Sequence, residues 1–242
     1  MPLADDIAAW IRTIVTEAGA QGVVIGLSGG LDSSVVAALA ARALPGKVLG
    51  AILPCESAPR DSELARLVAE QFQAEAIELD LTAAHRVLAA TLPEASTLVR
   101  ANVKPRLRML TLYYLAASRG CLVCGASNRS ELAIGYFTKF GDGGVDLMPI
   151  GGLLKRQVRE LARDLGVPQP IIDRPPTAGL WPGQTDEGEM GLLYAQLDAA
   201  IEAMDRHDTR TVPPHVLSRV RQMMAASAHK RALPPIYVPP MA

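Results

Sequence analysis

The sequence predicts an α/β fold in which a doubly wound parallel sheet carries helices on both faces. Three observations lead there. Short β-branched runs alternate with amphipathic stretches through the first half of the chain, the pattern of strands joined by crossover helices. Hydrophobic residues make up 49% of the 242 residues and aromatics only 4%, which suits alanine-rich helices packed on a sheet better than a small all-β fold. Finally, the first strand runs into a glycine-rich turn and a helix, "VVIGLSGGLDSS", from Val23 to Ser34.

The elements follow in order. From Ala4 to about Ala18, Ile7, Trp10, Ile11, Ile14 and Val15 recur at helical spacing, and Gly19 and Gly22 end the pattern. "VVIGLS" is a first strand, and Asp32 to Leu44 is a helix closed by Pro45 and Gly46. "KVLGAILP" is a second strand, "RDSELARLVAEQF" an amphipathic helix and "AEAIELDL" a third strand. A helix near Ala83 to Thr91 precedes a long one from Asn102 to Ser118, whose Pro105 falls in the first turn, where a missing N–H costs little. "CLVCGAS" is the next buried strand, and the glycine-dense "GYFTKFGDGGVDLMPIGG" reads as a loop. "KRQVRELARDLG" is a helix stopped by Gly166. The proline-rich connection from Val167 to Met190 has little periodicity, and a connection that long is functional or disordered. Two helical patterns follow, Leu192 to Asp205 and His215 to Ala228, and then an extended tail, "LPPIYVPP". The expected architecture is Rossmann-like, with residues 1–242 as one domain.

Charge and cysteine content narrow the classes. Lys plus Arg number 24 against 25 Asp plus Glu, a formal net charge of −1, so no global field holds nucleic acid. Three cysteines do not make a disulfide framework. Cys121 and Cys124 form a C-x-x-C, but positions three apart on a strand face opposite sides, so core packing is expected rather than a metal half-site. The start, "MPLADDIAAW", carries acids where a signal peptide needs bases, and no apolar run is long enough to cross a bilayer. A cytoplasmic protein is expected.

The loop after the first strand decides the chemistry. Gly29 and Gly30 let backbone N–H groups approach an anion, the following helix adds its positive end, and Ser28, Ser33 and Ser34 supply hydroxyls. The loop lacks the Lys-Ser/Thr ending of a Walker loop and the three-glycine spacing of the dinucleotide fingerprint. The bland alternative is a tight turn in which Asp32 caps the helix. The full string Ser-Gly-Gly-x-Asp-Ser, however, resembles the PP-loop of the ATP pyrophosphatase superfamily, whose fold is the adenine-nucleotide α-hydrolase type and whose members cleave ATP between the α and β phosphates. The resemblance implies that Gly26, Leu27, Ser28, Gly29, Gly30, Leu31, Asp32 and Ser33 bind ATP, with Asp32 helping to hold Mg²⁺.

Further strings, in order, resemble the ammonia-dependent NAD synthetases. "NVKPRLRM" places Arg106 at a dinucleotide contact. "GASNRSELAIGYFTKFGDGGVD" places Glu131 at an Mg²⁺ ligand and Lys139 and Asp146 at substrate contacts. "LLKRQVRELA" places Lys155 at a phosphate contact, "RPPTAGLWPGQTDEGEMG" places Thr177 at a nucleotide contact, and "AHKRALPP" places His229 and Lys230 over the dinucleotide. The resemblance implies a ligase that amidates deamido-NAD with ammonia, giving NAD, AMP and pyrophosphate through an adenylated carboxyl, with Asp32 and Lys155 in the catalytic centre. It also implies a homodimer. Asp142, in the glycine loop, is the candidate acceptor for the proton that ammonium must lose. The twenty or so residues before the loop strand are too few for a glutaminase domain, so free ammonia is the expected nitrogen source.

The bland readings are that Lys155, Arg156 and Arg159 form a solvated helix face and that Asp142 and Asp146 are turn formers. Ala126 stands where the resembling family has a threonine, so that hydroxyl contact is not carried over. Rival classes are another amide-forming PP-loop enzyme such as the synthetase half of a GMP synthetase, a tRNA-modifying PP-loop enzyme, and a non-catalytic nucleotide sensor. The downstream strings, the net charge and the retained Asp32, Glu131 and Lys155 count against these in turn.

Overall fold

The computed structural model describes residues 2–181 and 183–239. Pro182 of the proline-rich connection and Pro240 of the predicted tail lie outside the described residues.

The chain opens with α1 (Pro2–Glu17), β1 (Val23–Gly26), α2 (Leu31–Ala43), β2 (Val48–Ile52), α3 (Pro59–Gln71) and β3 (Glu75–Glu78). It continues through α4 (Thr82–Thr91), α5 (Thr97–Ala101) and α6 (Val103–Arg119) to β4 (Leu122–Cys124). Then come α7 (Arg129–Ile134), α8 (Lys155–Asp164), α9 (Gln169–Ile172), α10 (Asp186–Met190), α11 (Tyr194–Asp205) and α12 (Pro214–Ala226), closed by a 3₁₀ turn at Ala228–Lys230.

The strands are all parallel, in the order β3-β2-β1-β4. Val23 and Ile25 point into one core with α1, α2, α3 and α8, while Val24 points to the other face, against Leu115 and Ala116 of α6. The chain therefore winds outward from β1 to β3 on one face and returns across the other to β4. That reversal parts the carboxyl ends of β1 and β4, the place where open α/β sheets bind ligands. A second apolar core, with Leu197, Ile201, Val216 and Val220 fully or nearly buried, joins α11 to α12 and to Ile134 of α7.

Local sequence accounts for most of this. In α2, Val35, Val36, Ala37, Leu39 and Ala40 are all completely buried, because α1, α3, α8 and the sheet surround it. A helix packed on every side shows no one-sided apolar stripe, which is why alanine fills it. Cys124 lies in the first core and Cys121 against the opposite one, as the strand period requires.

Several boundaries depart from expectation. Asn102 stands at the cap position of the long helix, which starts at Val103, but a separate turn, α5, comes directly before it. The short helix α7 is an addition within "GASNRSELAIG". The glycine-dense segment is irregular, but Leu147 makes a parallel bridge to Cys124 beyond β4. Gly30, not Asp32, occupies the cap position of α2, so the capping reading of Asp32 fails. The proline-rich connection contains two short helices, α9 and α10.

Candidate active site

A cavity of about 580 Å³ opens at the switch point, with Gly26, Leu27, Cys124 and Gly125 in its wall. Its floor is the turn between β1 and α2. Gly29 has φ +72°, and a Cβ there would stand 2.4 Å from the Asp61 carbonyl oxygen, so only glycine fits. The Gly30 N–H donates to the Ser28 hydroxyl at 3.2 Å, and the Ser33 and Ser34 hydroxyls donate back to the Gly30 carbonyl at 3.1 and 2.7 Å. These bonds hold the turn open, leaving the first-turn N–H groups of α2 facing the cavity without intrahelical partners.

Three side chains from distant elements meet over that turn. Lys155, the first residue of α8, is 4% exposed, and its ammonium donates to Asp32 at 2.5 Å and to Glu131 at 3.2 Å. Burial works against the Lys155 charge, but the Asp32 and Glu131 carboxylates outweigh it and hold the ammonium above its ordinary range. Burial pushes Glu131 up despite the opposing Lys155 charge. Asn128 joins the two halves: its amide donates to Asp32 at 3.0 Å, and its carbonyl oxygen accepts from the Glu131 N–H at 3.0 Å. The Glu131 carboxylate in turn accepts from the Asn128 N–H at 3.2 Å, completing a capping box at the start of α7.

A wider network surrounds this trio. The Tyr194 hydroxyl lies 2.9 Å from Asp186 and 3.2 Å from Glu131, and its ring lies under the Lys155 ammonium at 4.9 Å. The Tyr136 hydroxyl reaches Asp186 at 3.2 Å and Glu189 at 2.5 Å. Asp142 sits in the cavity wall, open to water there but ringed by protein, and accepts from the Thr138 N–H at 2.9 Å. The protein packed around it raises its carboxyl above the usual range against that hydrogen bond.

A family model described as NAD synthase matches residues 3–234. The chain belongs to the NAD synthase family. Among NAD synthase relatives it is 46% identical to the NH(3)-dependent NAD(+) synthetase of Carboxydothermus hydrogenoformans over 237 residues, 96% of this chain and 95% of that one. A solved structure of NMN synthetase from Francisella tularensis superposes with a TM-score of 0.90 at 36% identity, covering 99% of this chain and 98% of that one. The NH3-dependent NAD synthetase of Campylobacter jejuni superposes at 0.86 with 27% identity, covering 98% of each chain.

Of the residues singled out from sequence, the cavity gathers Gly26, Leu27, Ser28, Gly30, Leu31, Asp32 and Ser33 with Glu131, Asp142, Lys155, Thr177 and Lys230. Thr177 donates to the Gln184 carbonyl at 2.8 Å and accepts from the Gly179 N–H at 3.0 Å, so it shapes the connection as well as lining the site. Lys230 donates to the carbonyls of Gly135 and Phe137 at 2.9 and 2.8 Å. Arg106, Lys139 and His229 lie outside the cavity, joined to one another: Arg106 donates to the Lys139 carbonyl at 3.3 Å and Lys139 to the His229 carbonyl at 2.6 Å. Asp146 stands apart, accepting from the Tyr113 hydroxyl at 3.0 Å and the Val123 N–H at 2.7 Å. Ala126 and Ser127 both line the cavity where the resembling pattern has a threonine.

Sequence reasoning missed Asn128, Asp186, Tyr136, Tyr194, Glu189 and Asp198. The string Asn128-x-x-Glu131 was a legible capping signature. Nothing local marks the others, whose roles come from helices folded over the site.

Proposed function

We infer that this chain catalyses the ATP-dependent amidation of deamido-NAD by ammonia, forming NAD, AMP and pyrophosphate. The observation that carries the reading is the Lys155 ammonium held between Asp32 and Glu131 above the glycine turn, in a member of a family whose relatives are named NH(3)-dependent NAD(+) synthetases.

A carboxylate is a poor electrophile and must be activated before it accepts an amine. A nicotinate carboxylate oxygen bonds to the α-phosphorus of ATP, the bond to the bridging oxygen breaks, and pyrophosphate leaves with the electron pair toward the turn from Ser28 to Ser33. Donors fixed in advance at the place where charge grows lower the barrier most, and the first-turn N–H groups of α2 and the Lys155 ammonium stand there. Asp32 and Glu131 offer hard oxygen donors, and no three His, Cys, Asp or Glu side chains converge as a complete metal cage among the described residues. Two carboxylates completed by substrate phosphates suit Mg²⁺, which would neutralise phosphate charge as a Lewis acid. Ammonia then bonds to the adenylated carboxyl carbon and AMP leaves. Asp142, with its raised carboxyl, takes the proton that ammonium gives up.

The same reading makes the chain a homodimer, in keeping with Leu98, Val99, Leu110 and Tyr114, which α5 and α6 leave more than half exposed. It also places the chain in the cytoplasm, a reducing compartment in keeping with three free cysteines.

Incubation with ATP, Mg²⁺ and deamido-NAD tests the reading. Ammonium should yield NAD, AMP and pyrophosphate in equal amounts; no NAD from ammonium overturns it. NAD formed equally well from glutamine overturns the ammonia requirement. A second reading, amidation of the mononucleotide, is favoured by the likeness to the Francisella tularensis NMN synthetase. Competition between equal amounts of the two substrates decides between them. Arg106→Ala separates them further: because Arg106 lies outside the cavity, its loss should raise KM for a dinucleotide and leave that for a mononucleotide unchanged.

A further inference from the structure

The cations in the cavity wall divide by what already holds them. Lys155 faces Asp32 and Glu131, and Arg174 is paired with Asp61. Arg108 donates to the Leu53 carbonyl and the Ser57 hydroxyl, and Lys230 to two backbone carbonyls. Arg159 differs. It lines the same cavity, its Nε is fully enclosed, and that nitrogen has no hydrogen-bond partner among the described residues. A buried guanidinium N–H without an acceptor is costly, and such an orphan calls for an acceptor, whether water, ion or ligand.

Its position says which ligand. Arg159 lies one turn beyond Lys155 on α8, so both side chains project from the same side of the helix. That helix packs against α2, whose first turn carries the phosphate loop. Asp61, which abuts Gly29, and Arg174, paired to it, line the same cavity. Arg159 therefore shares the side of α8 from which Lys155 reaches Asp32, at the start of the helix that follows the loop. A planar guanidinium suits phosphate oxygens, which it meets with two parallel N–H bonds.

The geometry points to Arg159 as a pyrophosphate-binding residue, supplying donors to the β and γ phosphate oxygens of ATP and holding the pyrophosphate once it has left. This assignment rests on the reading that the cavity takes ATP, and it changes Arg159 from a solvated helix face into a wall of the site.

Inorganic pyrophosphate with Mg²⁺, titrated calorimetrically into the full chain, tests it without turnover. Arg159→Met keeps the packed stem and removes the donors. It should weaken pyrophosphate binding about ten- to a hundredfold, the range of hydrogen bonds to charged groups. KM for ATP should rise with it, while KM for ammonium and for the dinucleotide stays unchanged. Arg159→Lys should recover part of the loss. Unchanged pyrophosphate binding in the methionine variant, or an equal loss for every substrate, overturns the assignment. If the wild-type chain makes no NAD, the amidation reading falls, and the pyrophosphate titration still scores Arg159 on its own.

Discussion

At the scale of single residues, the site concentrates charge where water is scarce. Lys155 neutralises two carboxylates that would otherwise face each other inside the fold, so Lys155→Met should both slow and loosen the protein. Breaking such a buried pair costs about 3–5 kcal/mol, and losing one fixed transition-state donor costs about 10²–10³ in kcat. Urea unfolding and steady-state kinetics on the same preparation check the two together, and added Mg²⁺ should recover part of the stability. Asp142 behaves in the opposite sense. Its carboxyl titrates higher in the fold than in the unfolded chain, so the fold favours its protonated form. That preference is fully present below the unfolded value of about 3.9 and is lost as pH rises through the folded one. Asp142→Asn, which cannot ionise, should thus raise the melting temperature at pH 7–8 and not at pH 3, while lowering kcat about a hundredfold. A variant that keeps full activity across pH removes Asp142 from the proton transfer.

At the scale of elements, the placement of α8 matters more than its sequence. Asp198 of α11 is 2% exposed, accepts from the Ser130 hydroxyl at 2.5 Å and takes the Arg156 N–H at 3.0 Å. Ser130 in turn accepts the Lys155 N–H at 2.9 Å. The buried carboxylate thus fastens the start of α8 to α7 and α11, and Lys155 stands where that fastening puts it. Asp198→Ala leaves a hydroxyl and an N–H without acceptors and should cost about 3 kcal/mol, with kcat falling more than either nucleotide KM rises. Asp198→Asn, which keeps an acceptor, should lose less on both measures. The helix pattern of α8 was plain in "KRQVRELARDLG", but its polar side is split by tertiary packing: Lys155 and Arg159 turn to the cavity, while Arg156 reaches Glu202 of α11. Periodicity sorts apolar from polar positions and says nothing of which polar side meets solvent and which meets a cavity.

At the scale of the whole molecule, the proposed dimer carries its own prediction. Leu110 and Tyr114 lie one turn apart on α6, 63% and 74% exposed. Light scattering should give twice the monomer mass, and Leu110→Glu together with Tyr114→Glu should give the monomer. The sequence alone determined the alternation of strands and helices and the β1 turn, and its strings singled out Asp32, Glu131 and Lys155 as candidates. Those features are local: a side-chain period, a glycine that must take positive φ, and short strings of residues. The boundaries it blurred, such as the break between α5 and α6, lie where packing rather than propensity ends a helix. Only the tertiary structure decided that Lys155 reaches both Asp32 and Glu131 within 3.2 Å and that Asp186 and Tyr194 close over them. It also decided that Arg159 lacks a partner for a buried nitrogen and that Asp146 is taken up by Tyr113 and the β4 backbone. Convergence across a hundred residues is set by the sheet's winding and by the second helical core, and no short window of sequence carries that geometry.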